Sequence, residues 1–426
     1  MIKRVKKYFG ILGPGITTGA AGNDPSGIAT YSQTGAQFGY KQLWIVFLIL
    51  PFQIAIQEAC ARIGAVTGEG LASVIKKKFN PWILYSVIFL FLIANVINIG
   101  ANLGAMAATM QLIFPLNFTL LTVGFTTIIL AMQIFLSYRI YANILKWLAL
   151  SLITYPLTAI MIHINWGQVF KATFIPHLEF NFAYLFILTG LLGTTVSPYL
   201  FVWQASQEVE EVNKKNLNTI GGNSKVSRRY IKRMRIDNFV GMLSSQICSW
   251  SIIVVSAAVL HQHGIIDIKN AADAAKALEP FIHSFPNAGL ITKIIFATGI
   301  IGLGLLSIPI LAGSCAYAIG ETYNMKVGLD LKFYNAYGFY GIIIFATLIG
   351  LGINLVDIDP FKALIYSAVL NGLVAVPLIF LVAVIAQDKK FMGKHYSRFL
   401  SNIFVWLTFL GILGAGIGMV YSLFFS

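Results

Sequence analysis

Two short stretches carry the residues best able to do chemistry. Asp24-Pro25-Ser26-Gly27 interrupts one apolar run, and Thr194-Thr195-Val196-Ser197-Pro198 interrupts another. Proline removes a backbone donor and clashes with the carbonyl four residues back. Each stretch therefore predicts a broken helix whose freed carbonyls and half-helix ends act as ligands. Asp24 is the only acidic residue in the middle of an apolar run with no basic residue one helical turn away. An ionisable group at membrane depth is costly and marks a functional site by default. The Asp24 carboxylate, with oxygens of Thr194 and Ser197, makes an all-oxygen donor set. Such a set suits Mg²⁺, Mn²⁺ or Ca²⁺. Asn23, Ser26, Gly27 and Tyr199 flank the breaks and are expected to contact the water shell of a hydrated ion. Asp24-Pro25 is also the pattern of a helix N-cap followed by proline at the first helical position, and capping and ligation are compatible.

Other polar residues have narrower readings. Glu58 and Arg62, four apart, share a helix face and predict an ion pair, either structural or a latch on an inner gate. Asn95, Asn98 and Asn102 fall on one face at i, i+3, i+7. Their neutral amides bond between helices or line a wet path, but carry no proton. His163, His177, His261 and His263 fall near the outer ends of spans, so none predicts a proton relay at membrane depth. Glu208, Glu210 and Glu211 predict a solvated helix end, or an acidic vestibule that attracts cations. Cys60, Cys248 and Cys315 stand at no metal-ligand spacing and are expected to be small packing residues.

The elements that hold these residues must be membrane helices. The chain has 426 residues, 57% hydrophobic and 11% charged, with mean hydropathy +0.77. Soluble domains are about a quarter charged, so a soluble enzyme is excluded. Runs near 11–38, 43–66, 82–113, 119–137, 143–164, 183–206, 236–262, 289–319, 336–355, 361–386 and 400–424 are each long enough to cross a bilayer. The first follows a basic start but carries Asp24-Pro25 at its centre, so it is expected to be a membrane helix and no cleaved signal. With the N-terminus inside, 24 of the 30 Lys and Arg residues fall in inner segments. That asymmetry predicts a cytoplasmic N-terminus and an outside C-terminus. It also explains the net charge of +14, and the basic cluster 214–235, without nucleic acid. The two breaks lie five spans apart, the pattern of an inverted repeat. The expectation is one transmembrane domain, 1–426, all-α and multi-pass. Its first repeat would be 11–164, its second 183–386, and an eleventh helix 400–424 would lie outside both.

Several motifs resemble those of the NRAMP family of divalent-metal transporters along most of the chain. Gly13-Pro14-Gly15 followed by Asp24-Pro25 is similar to the family's first helix. Residues 61–68, Ala-Arg-Ile-Gly-Ala-Val-Thr-Gly, with Leu71-Ala72, resemble its second. Arg235-Ile236-Asp237 resembles the start of its seventh. Pro377 and 388–393, Asp-Lys-Lys-Phe-Met-Gly, resemble its tenth helix and the loop beyond. The resemblance implies a LeuT-type fold of eleven helices, with helices 1 and 6 broken. It also makes the departures informative. Where the family has Asp-Pro-Gly-Asn, with both Asp and Asn as ligands, Ser26 and Gly27 follow Pro25. Where it has Met-Pro-His, with a sulfur ligand, this chain has Ser197-Pro198-Tyr199. Thr194 stands where the family uses a backbone carbonyl. A family histidine is replaced by Gln204. A proton-transferring Asp and Glu are replaced by Asn95 and Asn98, and the glutamine ligand of helix 10 falls ambiguously near Ala368 and Asn371.

These departures resemble the magnesium-transporting branch of the family. Losing a thioether removes the preference for transition metals. Losing two long side chains implies a roomier site, suited to an ion that keeps several waters. Losing the acids and histidines argues against proton coupling. The expected function is a carrier for Mg²⁺, also admitting Mn²⁺, working by alternating access in the plasma (inner) membrane, with no cofactor and no enzymatic activity. Its partners would be divalent ions and the bilayer, with no nucleic acid and no obligate protein partner. The alternatives are a proton-coupled Mn²⁺/Fe²⁺ transporter; an amino-acid or organic-solute symporter, with Tyr31, Tyr199 and Trp203 packing the substrate; and a membrane sensor using 207–235 as a partner surface.

Overall fold

The computed structural model describes residues 14–136, 153–215, 217, 226–279, 287–356 and 358–425. The elements among the described residues are all helical. Helices α1 (Pro14–Ala21) and α2 (Pro25–Phe38) form the expected broken first span. They are followed by α3 (Trp44–Thr67), a short α4 (Leu71–Lys78), α5 (Pro81–Met110) and α6 (Phe118–Phe135). Of the expected fifth span, residues 143–152 lie outside the described residues, as do Gly13, Arg139, Lys146 and the loop 218–225; α7 (Thr154–Met161) is its visible part. Helix α8 (Trp166–Phe174) leads to the second broken pair, α9 (Phe182–Thr195) and α10 (Pro198–Lys214). Then come α11 (Arg228–Val259), α12 (Ala271–Ala275), α13 (Ala288–Thr322), α14 (Tyr337–Ile353), α15 (Pro360–Gln387), a turn α16 (Lys389–Met392) and α17 (Phe399–Phe425).

Local chemistry explains the boundaries. Asp24 caps α2, Asn80 caps α5, Asn117 caps α6, Asn181 caps α9 and Asp359 caps α15, each accepting from a backbone N–H in the first turn. Helix α11 begins eight residues before the apolar run that announces it. Ser227 caps it, and its first two turns are basic but fully helical. Charge ends a membrane span, but it does not end a helix.

The core is the broken helices enclosed by the others. Helix α9 packs on α15, α11 on α1 and α2, α13 and α15 on α5, and α10 on α3. Lipid chains are as apolar as leucine, so close packing is what holds such helices together. Glycine provides it at two crossings. A β-carbon on Gly241 would stand 2.2 Å from the Gly15 carbonyl, and one on Gly193 would stand 2.1 Å from the Ala368 carbonyl. Helix α17 lies against α15, α9 and α3 on the outside of the bundle, with most of its surface uncovered.

Candidate metal site

Asp24 sits at the gap between α1 and α2, 1% exposed. Its carboxylate is divided in function. Oδ1 accepts from the Gly27 amide at 2.9 Å and the Ser26 hydroxyl at 2.6 Å, so the expected cap is present. Oδ2 meets only the Asn98 and Asn102 amides, at 3.4 and 3.5 Å. Good N–H···O bonds are about 2.7–3.2 Å, so this oxygen is buried and weakly satisfied. No Lys or Arg pairs with Asp24 among the described residues. A buried carboxylate without a cation costs several kcal/mol, and an arriving cation is the natural relief.

The second break faces the first. Ser197 is the residue before α10 and makes no side-chain cap bond. Its hydroxyl instead donates back to the Gly193 and Thr194 carbonyls, at 2.9 and 2.8 Å. The Thr194 hydroxyl is buried without a partner. A β-carbon on Gly27 would lie 3.0 Å from that hydroxyl oxygen, which brings the two breaks into contact. Tyr31 and Thr195 hydroxyls meet at 3.2 Å, and the Tyr199 hydroxyl donates to the freed Ala21 carbonyl at 2.9 Å. The Asp24 break and the Thr194–Ser197 break thus adjoin, through Gly27 and Thr194. Their donors are oxygens, and among the described residues no group of three or more His, Cys, Asp and Glu side chains is placed to hold a metal.

Other expected contacts fall elsewhere. Asn23 turns to α11, accepting from Ser249 at 3.0 Å and reaching the Ser245 carbonyl at 3.5 Å. Tyr199 is a brace across the break, 1% exposed, and Ser26 serves the Asp24 carboxylate. At Gly27 itself the packing is close. A β-carbon there would also stand 3.3 Å from the Tyr31 ring, so a side chain at this position would press on both neighbours.

The asparagine face of α5 does more than replace acids. Asn98 and Asn102 point their amides at Asp24. Asn102 also donates to Ser307 of α13 at 3.3 Å, and Ser367 of α15 donates to Asn98 at 3.4 Å. Asn95 reaches the Cys315 sulfur at 3.5 Å, so that cysteine has a polar contact as well as a packing role. Asn371 of α15 is fully buried with both amide atoms unpartnered, and the Asn95 and Asn102 amide oxygens are unpartnered too. Ser307, Ser367 and the partnership of Asn102 with Asp24 are missed by sequence reasoning. The signal available was a polar residue inside each of two apolar runs, at no diagnostic spacing.

Gln204 accepts from the Thr18 hydroxyl and points its amide at Glu208, 3.3 Å away. Of the three glutamates beyond it, only Glu211 keeps the character of a solvated helix end, about a third exposed and paired with Lys215 one turn on. Glu208 is 2% exposed and accepts from Tyr230 at 2.7 Å. Glu210 accepts from Tyr317 and, at 2.8 Å, from the Leu329 amide, and Glu211 pairs with Lys215. Glu208 and Glu210 fasten α10 to its neighbours. Glu58 and Arg62 form the predicted pair, doubly bonded at 2.9 and 3.1 Å. Arg235 shares Glu58 at 2.9 Å, and Arg62 also donates to the His395 carbonyl and to Ser397. The pair therefore joins α3, α11 and the segment before α17.

Comparison with known proteins agrees with this architecture. The family described as Nramp, natural resistance-associated macrophage protein-like, matches residues 15–422. A divalent metal cation transporter MntH of Caldanaerobacter subterraneus subsp. tengcongensis is 26% identical over 430 residues, covering 98% of this chain and 93% of that protein. The MntH of Clostridium acetobutylicum is also 26% identical, covering 99% and 93%. Among solved structures, the Eremococcus coleocola manganese transporter superposes with a TM-score of 0.70 at 16% identity, covering 97% of this chain and 85% of that one. Mhp1, a nucleobase-cation-symport-1 family transporter, superposes with a TM-score of 0.58 at 13% identity, covering 97% and 92%. At those identities the structures speak for the fold alone.

Proposed function

The chain belongs to the Nramp family, and from that premise we propose that it carries divalent metal ions across the membrane by alternating access, taking Mg²⁺ and also Mn²⁺ without coupling to protons. The names borne by its relatives support divalent-metal transport. The finer part rests on one observation: among the described residues Asp24 is the sole carboxylate at the meeting of two broken helices, and the groups around it are neutral oxygens and amides.

Each feature has a consequence. One negative charge attracts a dication without neutralising it, so the bound ion keeps a net positive charge and part of its water. The Asp24 Oδ2, the Thr194 and Ser197 hydroxyls and the Thr194 carbonyl are hard donors, which do not favour late transition metals over Mg²⁺. Asn95, Asn98 and Gln204 are amides and hold no exchangeable charge. The driving force would be the membrane potential, about 4.6 kcal/mol for two charges at 100 mV. The aromatic residues that an organic substrate would need are occupied: Tyr199 braces Ala21, Tyr31 meets Thr195, and Trp203 is buried against Tyr317.

The test is Mg²⁺ and Mn²⁺ uptake into liposomes holding the purified protein, with internal pH recorded at the same time. Uptake of both ions without acidification supports the proposal. Acidification in step with uptake overturns the uncoupled part, and Mn²⁺ uptake that excess Mg²⁺ does not inhibit overturns the Mg²⁺ assignment.

A further inference from the structure

A cavity of about 460 Å³ lies away from the metal site, at the basic end of the bundle. Arg62, Arg228, Lys232, Arg235, Lys394 and Arg398 line it, with His395 and Tyr396. Among the described residues only one carboxylate forms an ion pair with these cations. Glu58 bonds to Arg62 and Arg235, and no ion pair engages Arg228, Lys232, Lys394 or Arg398 among the described residues. The adjoining stretch 216–225 holds no Asp or Glu that would compensate. Arg228 and Lys232 lie in the first turns of α11, where the helix dipole already repels cations. Burial first, and then the charges of Arg62, Arg228 and Arg235, hold His395 below the ordinary histidine range. So dense a cluster of one sign calls for an anion from outside the chain.

The surroundings say which kind. Arg228, Lys232 and Arg235 fall at i, i+4, i+7 on α11, and Phe239, at i+11, continues the same stripe with about half its surface exposed. On the other wall, Arg398 is followed at once by Phe399 and Leu400, which are 78% and 69% exposed at the start of the peripheral helix α17. Cationic groups thus pass within about one turn into uncovered apolar side chains, on the face that meets lipid. That sequence, charge then hydrocarbon, is complementary to a phospholipid. The charge asymmetry assigns this end to the cytoplasm, where anionic lipids gather.

We propose that this pocket binds the phosphate of an anionic phospholipid, with the acyl chains lying along α11 and α17. The occupant would touch Arg62 and Arg235, and hence the Glu58 junction of α3, α11 and the segment before α17. Lipid binding would therefore steady that junction.

The experiment uses the full-length protein in neutral detergent and in vesicles of phosphatidylcholine, alone or mixed with phosphatidylglycerol. Bound lipid is read by native mass spectrometry and stability by thermal unfolding. The variant is Lys232→Gln with Lys394→Gln and Arg398→Gln, three exposed cations that pair with no acid. A control carries Lys171→Gln and Lys269→Gln at the opposite end. The parent should retain phosphatidylglycerol selectively and unfold later in its presence. The triple variant should bind it about a hundredfold more weakly, at about fivefold per charge removed near an anionic surface, and the control should match the parent. Equal retention of the two lipids by the parent overturns the proposal whether or not the variants fold. Retention by the triple variant equal to the parent's, or an equal loss in the control, also overturns it. If inorganic phosphate alone stabilises the parent as much as the lipid does, the pocket serves a soluble anion and the lipid assignment falls.

Discussion

Replacing Asp24 by asparagine separates its two roles. An amide oxygen caps a helix about as well as a carboxylate, and it can still accept from Gly27 and Ser26, which bond to Oδ1 at 2.9 and 2.6 Å. The other carboxylate oxygen meets the Asn98 and Asn102 amides only at 3.4 and 3.5 Å, so little bonding is lost there. Meanwhile a buried, uncompensated charge disappears, and such a charge costs several kcal/mol. Without metal, then, Asp24→Asn should be at least as stable as the parent. Asp24→Ala should differ: it loses the cap bond from Gly27, about 1 kcal/mol, and takes the acceptor from the buried Ser26 hydroxyl, about 1–3 kcal/mol more. With metal the order reverses. The only formal charge in the donor set is gone, and a loss of about 3 kcal/mol, roughly a hundredfold in affinity, is a lower expectation. The assay is thermal unfolding with and without Mg²⁺ or Mn²⁺, together with uptake into liposomes. Asp24→Asn should unfold no earlier than the parent, show no metal-induced stabilisation and transport neither ion. If it is stabilised by Mn²⁺ and takes it up within about twofold of the parent, the reasoning about the carboxylate is wrong.

Other perturbations give distinct readouts. Ser197→Met removes no cap bond and adds a soft donor, so the uptake preference for Mn²⁺ over Mg²⁺ should rise about tenfold; an unchanged ratio in competition uptake would remove Ser197 from the site. Glu58→Gln strips a doubly bonded partner from Arg62, which is 1% exposed. It should cost about 3 kcal/mol, as breaking a buried pair does, and a thermal midpoint equal to the parent's would contradict that. The hydrogen bond from Lys78 holds the Asp388 carboxyl below the usual carboxylate range. A lowered folded value means the stabilisation is full above the unfolded value, near 3.9, and is lost as pH falls through the folded one. Because the pair is partly exposed, Lys78→Gln should cost at most about 1 kcal/mol at neutral pH and progressively less in strong acid; a cost that grows on acidification would reverse the sign.

What the chain reveals without coordinates follows from the strength of each signal. Membrane helices announce themselves by long apolar runs, and the ends observed for α3, α5, α15 and α17 fall within a few residues of those runs. The breaks at Asp24-Pro25 and Ser197-Pro198 were legible because proline leaves few alternatives. Helix α11 was read too short because its basic start carries no apolar signal, although Arg and Lys form helix readily. The burial of Glu208 and Glu210 escapes the sequence for a related reason. Their bonds to Tyr230, Tyr317 and Leu329 join residues 22, 107 and 119 positions apart, and no local pattern encodes such pairings. The hydroxyls of Ser307 and Ser367 were invisible among apolar neighbours until α5 brought Asn98 and Asn102 to meet them. The closeness of Thr194 and Tyr31 to Gly27 is not legible either, because it depends on residues from both breaks.

The central claim is that the transported ion rests on the Asp24 carboxylate among oxygens from both breaks. The most direct test is a structure of the protein with Mn²⁺ bound, with the ion located by its anomalous scattering. A peak roughly 2.1 Å from the Asp24 carboxylate, with oxygens of Thr194 or Ser197 or ordered water completing its shell, is the predicted result. A peak coordinated by the Cys315 sulfur or by an imidazole, with Asp24 left free, would contradict the account.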